Sequence, residues 1–162
     1  MYKRMMTVCF FCILFVCLTG CTPKVRDPYA YRQFPITAEI LLHQSGNEIH
    51  GTLYVESPDI GSLSLTAPDT VAGYVFSLQN KEVTVSYGTY SYICRSDASL
   101  SPLIIELVDL FSISAEEAIV QGSDRIAPNG AVLTVDENGI PKTVTCSDYT
   151  ADILLYTAGQ TS

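Results

Sequence analysis

Residues 74–87 alternate. Tyr74, Phe76 and Leu78 are interleaved with Val75, Ser77 and Gln79, and beyond Asn80-Lys81 the alternation resumes with Val83, Val85 and Tyr87. A period of two puts every second side chain on one face of a strand, so the stretch predicts an antiparallel hairpin with one apolar face. A two-residue turn at Asn80-Lys81 pairs Leu78 with Val83, Phe76 with Val85 and Tyr74 with Tyr87. Such a face must be covered, which commits the chain to a sheet packed against a second layer.

The same pattern recurs along the chain. Ile36, Ala38, Ile40 and Leu42 alternate with Thr37, Glu39, Leu41 and His43, and Gly51, Leu53 and Val55 continue after Gly46-Asn47. A turn at Gly46-Asn47 places Ile40 opposite Leu53 and Ala38 opposite Val55. Ser57-Pro58-Asp59 ends that strand. Leu63 and Leu65 make a third, closed by Ala67-Pro68-Asp69. Residues 90–94 are placed to form a strand after Gly88. Ala131 to Val135 and Ile140 to Cys146 flank a turn at 136–139, and residues 153–156 form a last strand.

Only one stretch changes period. Leu103, Ile104, Leu107, Val108, Leu110 and Phe111 recur at three- and four-residue steps, after Ser101 as N-cap and Pro102 at the first helical position. Ser114-Ala115-Glu116-Glu117 reads as a capping box opening a second short turn. The fold class is therefore mainly β (α+β). It is expected as a curved antiparallel sheet or half-open barrel of about eight or more strands, packed around one or two short helices.

The first twenty residues have a different purpose. Lys3 and Arg4 precede an apolar run from Met5 to Leu18. As a helix this run is about 21 Å long, short of the ~30 Å hydrocarbon core of a bilayer, so it reads as a secretory signal and not as a permanent span. It closes on Leu18-Thr19-Gly20-Cys21, which resembles the bacterial lipobox. That resemblance implies cleavage before Cys21, acylation of Cys21, and anchoring on the extracytoplasmic face of the cell membrane. The expected divisions are residues 1–20 as signal, 21–33 as lipidated tether and 34–162 as one β domain. Tyr29, Tyr31 and Phe34 are placed to begin docking onto that domain.

Charge and cysteine narrow the partners. The formal net charge is −8, and losing Lys3 and Arg4 with the signal takes it to −10. So acidic a chain has no electrostatic means of holding nucleic acid or anionic lipid heads, so membrane contact is expected to be covalent. Of the six cysteines, Cys94 and Cys146 alone remain in the domain. Export permits a disulfide between them, and two buried free thiols are the alternative.

Taken together, Leu63–Pro68 running on to Gly73–Phe76, the hairpin Val83–Tyr87, the helix Ser101–Phe111 and Asp136–Pro141 resemble the LolA/LolB lipoprotein carrier and receptor superfamily. The likeness is greatest to small lipoproteins of that fold in Gram-positive spore-formers. The resemblance covers most of residues 34–157. It implies an incomplete barrel whose concave apolar face binds an acyl chain or lipid, without catalysis. Ile40, Leu53, Tyr74, Phe76, Val85, Tyr87, Leu107 and Phe111 would line that face. The chain departs from a full carrier in having fewer recognisable strands, and the helix can instead fill the concavity as core. The second reading is then an envelope interaction module that supports a partner protein.

Other constellations are weaker. The expected register sets His43 opposite His50 near Glu48, a nucleus for zinc, yet a third fixed ligand is not evident and a surface pair beside a turn suffices. Asp136-Glu137-Asn138-Gly139 lacks the later ligands of a calcium loop and reads as a turn. Neither a Gly-x-Ser-x-Gly elbow nor a His-Glu-x-x-His occurs, and no residue pattern calls for a cofactor.

Overall fold

The structure, a computed structural model, describes residues 27–94, 101–114 and 116–159. The signal, Cys21 and the tether up to residue 26 lie outside the described residues, as do residues 160–162. The strands are β1 (Ile36–Gln44), β2 (Asn47–Ser57), β3 (Ile60–Ala67), β4 (Tyr74–Gln79), β5 (Glu82–Tyr87) and β6 (Tyr90–Cys94). After helix α1 (Ser101–Ser112) come β7 (Ile119–Gln121), β8 (Asp124–Ile126), β9 (Val132–Val135), β10 (Pro141–Thr145) and β11 (Thr150–Ala158). All eleven join one open, curved antiparallel sheet in the order β6-β5-β4-β3-β2-β1-β11-β10-β9-β8-β7. Eleven strands fall within the expected eight or more. Those the sequence did not single out are β7 and β8, of three residues each, too short to display an alternation.

The hairpin at residues 74–87 has the expected register, with Tyr74 opposite Tyr87, Phe76 opposite Val85 and Leu78 opposite Val83. Asn80 (φ 52°) and Lys81 (φ 68°) both take the positive φ that a tight two-residue hairpin turn demands. The first hairpin corrects the sequence reading. Its turn is Ser45-Gly46, with φ of 50° and 81°, so Ile40 faces Gly51 and Ala38 faces Leu53. Gly46 takes the second turn position and the register slides by two, which leaves every side chain on its expected face.

One face of the sheet makes the core. Ile36, Ala38, Ile40 and Leu42 of β1, Leu53 and Val55 of β2, Leu63 and Leu65 of β3, and Leu133 and Val144 across the sheet are buried. Helix α1 packs on this face against β2, β3 and β4. Its stripe Leu103, Ile104, Leu107, Val108, Leu110 and Phe111 is buried, whereas Asp109 is exposed. The expected second helix is a single turn: Ser114 donates from its N–H and hydroxyl to the Glu117 carboxylate, and the Glu117 N–H donates back to the Ser114 carbonyl. The Ser114 hydroxyl, then its N–H, hold the Glu117 carboxyl below its usual range.

Residues 27–33, read from the sequence as the end of the tether, are partly drawn into the fold. Tyr29 and Tyr31 are buried. The Tyr156 hydroxyl donates to the Tyr31 carbonyl, and Arg125 Nε donates to the Pro28 carbonyl at 2.9 Å.

Candidate functional site

Strand alternation and the helical stripe bring all eight expected lining residues to the concave side. They do not leave it open. Ile40, Leu53, Phe76, Val85, Leu107 and Phe111 are each 5% exposed or less. The seat of the helix explains why. A β-carbon on Gly61 of β3 would stand 2.7 Å from Val108 Cγ2 and 2.9 Å from the Tyr54 carbonyl oxygen, so α1 lies against bare backbone there. The concave face is filled by helix side chains, and those six residues are core.

Tyr74 and Tyr87 mark where that cover stops. Their ring centroids are 4.8 Å apart, and Tyr87 also rests against Gly73, yet Tyr87 is half exposed. Beyond it, Tyr90 and Tyr92 of β6 pair with Tyr87 and Val85, which puts all four tyrosines on the same face of neighbouring strands.

Two surface grooves lie elsewhere. One, of about 920 Å³, is lined by Asp27, Pro28, Arg125 and the 136–139 turn. Arg125 is 5% exposed, and its guanidinium donates to the carbonyls of Pro28, Gly122 and Asp124. It is spent on joining Pro28 to β8. A lone arginine in a three-residue strand gives no sequence signal, which is why it was missed. In the turn, the Asp136 carboxylate accepts from the N–H of Asn138 and Ile140 at 2.8 and 2.9 Å and pairs with Lys142 at 3.6 Å. The Ile140 amide, then that of Asn138, hold its carboxyl below the usual range. Its oxygens close a turn, in keeping with the sequence. The second groove, of about 390 Å³, gathers Asp59, Lys81, Asp109 and Glu117 near the end of α1, where partial desolvation raises the carboxyl of the otherwise exposed Asp109. Neither lining includes histidine or cysteine.

The shifted register separates the histidines. His43 faces Glu48, and His50 faces Leu41. His43 Nε2 lies 3.1 Å from Asp152 Oδ2, with Glu48 3.8 Å from the other ring nitrogen. Among the described residues no group of three or more His, Cys, Asp or Glu is placed to hold a metal. Cys94 and Cys146 are free thiols and not a bridge. Burial pushes the Cys146 thiol up to about 11. The same cause raises Tyr149, which is hydrogen-bonded to Cys146. Among the described residues no helix is long and apolar enough to cross a membrane.

No protein-family profile matches the sequence, and no curated protein matches it. Solved structures do. The chain is similar in fold to an uncharacterized conserved protein from Thermus thermophilus, at 10% identity and a TM-score of 0.51, covering 84% of this chain and 86% of that one. It is also similar to a LolA superfamily protein from Nitrosomonas europaea, at 8% identity and a TM-score of 0.45, covering 82% and 89%. A domain from Vibrio parahaemolyticus named for outer membrane lipoprotein sorting matches at 10% identity and a TM-score of 0.46, covering 80% and 88%. At such identities the likeness is one of fold alone.

Proposed function

We propose that this chain is an envelope lipoprotein, cleaved after Gly20 and acylated on Cys21, whose domain is a non-enzymatic binding module working through its outer surface. The anchoring rests on the basic tip, the short apolar run and the Leu-Thr-Gly-Cys ending. The surface reading rests on one observation: α1 occupies the concave face, with Leu107 and Phe111 both fully buried. An acyl chain in the concavity, which the sequence resemblance implies, would require α1 to leave its seat on β2–β4. Neither groove holds a histidine or a cysteine to serve as base or nucleophile, and the surface instead offers exposed apolar residues on both edge strands.

Two measurements test this. Intact mass of membrane-extracted protein should give a chain starting at an acylated Cys21, and Cys21→Ser should release the domain from the membrane. Native mass spectrometry of the extracted protein should then find no lipid beyond the covalent acyl groups. A retained lipid would restore the concavity as the binding site.

A further inference from the structure

The sheet has two ends, and they are protected differently. β7 is three residues long, too short to offer a ladder, and acidic Glu116, Glu117 and Asp124 flank it. β6 runs Tyr90-Ser91-Tyr92-Ile93-Cys94 and carries no charge, no proline and no glycine. Tyr90, Tyr92 and Ile93 are 76%, 56% and 65% exposed. β6 pairs with β5 on one side, and among the described residues no strand lies on the other. Edge strands are ordinarily blunted by charge, proline, bulges or shortness, because a bare row of N–H and C=O groups templates further pairing. β6 has none of these devices, in a chain whose net charge is −8.

We propose that β6 is a self-pairing edge, docking antiparallel on the β6 strand of a second copy about a two-fold axis through Tyr92. The register supports a second copy over an unrelated strand. Using all five residues, the two-fold sets Tyr90 opposite the partner's Cys94, Ser91 opposite the partner's Ile93, and Tyr92 opposite its own equivalent. Each outer pair joins a large side chain to a small one, and the centre is an aromatic pair. Tyr90, Tyr92 and Cys94 share a face with Val85 and Val83, so the tyrosine surface continues across the junction. An uncharged strand also lets two acidic copies meet where repulsion is least. Five residues a side is small against the roughly 20–30 of a standard interface, so the association is weak and cross-linking is the suitable readout. The inference does not depend on the anchoring proposed above.

The test uses the full chain and the native thiol of Cys94. Tyr90→Cys should give a disulfide-linked dimer on mild oxidation with copper phenanthroline. The dimer should vanish when Cys94→Ser is added, and also when Ile93→Lys is added; Ile93 is exposed, so that change leaves the core intact. Self-pairing in this register is overturned if no dimer forms, if the dimer survives Cys94→Ser, or if the product has the mass of one copy joined to a different protein.

Discussion

The ring of Tyr156 stacks on that of Phe111, with centroids 6.2 Å apart and planes inclined by 12°. Tyr156 belongs to the last strand and Phe111 to the helix, so this contact ties α1 to β11. The Tyr156 hydroxyl reaches on to the Tyr31 carbonyl, which fastens the segment before β1 to the same point. Tyr156→Phe keeps the stack and deletes that bond. The expected cost is about 1 kcal/mol, with faster amide exchange in residues 29–33 and unchanged exchange in β3–β5. Hydrogen-exchange mass spectrometry makes the comparison, and uniform exchange across all of these segments would refute the fastening role.

Gly61→Ala tests the seat of the helix. The added methyl meets Val108 Cγ2 and strand backbone, neither of which can move aside freely. A loss of about 1–3 kcal/mol is expected, read from denaturant melts. Leu107→Asp, which sets a carboxylate in the middle of the buried stripe, should prevent folding altogether. An Asp variant that melts like the parent would mean that α1 is not core.

The Cys146 thiol should resist alkylation. Burial raises it from an ordinary 9.0 to about 11, so in the fold it stays protonated where a free thiol would ionise. In a Cys94→Ser chain, maleimide labelling at pH 8 should be slow until denaturant is added. The shift also gives a sign for stability. The folded state favours the neutral thiol, so this contribution is complete below about pH 9 and is lost as pH rises towards 11. Labelling as fast in the folded as in the denatured chain would contradict the burial.

Lys81→Gly should stabilise the domain. Lys81 holds φ at 68°, a conformation that costs a residue with a β-carbon about 1 kcal/mol and costs glycine nothing. A gain of about 0.5–1 kcal/mol in a denaturant melt is expected. A loss would mean that Lys81 contributes more through the Asp109 groove, which it helps to line, than it spends on its backbone.

What could be read from the sequence follows from what carries a signal. The register at residues 74–87 was legible because alternation on both sides converges on one two-residue turn. At residues 36–55 the apolar face was legible, and the turn was not, since Ser45 and Asn47 are both plausible neighbours for Gly46 and Ser45 takes the positive φ. β7 and β8 were hidden by their length, and Arg125 by its isolation. The eight concave residues were legible as one surface. Alternation reports which side chains share a face and is silent on what covers it, so a lined cavity and a packed core look alike until α1 is placed.

Neighbouring strands in the sheet are consecutive in the chain everywhere except at β1 and β11, whose pairing joins residues from opposite ends of the domain. The Gly159 N–H donates to the Pro35 carbonyl at 3.0 Å, so the chain leaves the domain beside the point where it enters. The sheet is thus a simple meander whose outermost strands, β6 and β7, are joined through α1 and whose chain is open at its middle, between β11 and β1. A circular permutant linking residue 159 back to residue 27, with new ends opened after α1, would restore that meander. Every strand would then find its partners among its sequence neighbours, and the lower contact order should let it fold faster than the natural chain while reaching the same set of contacts.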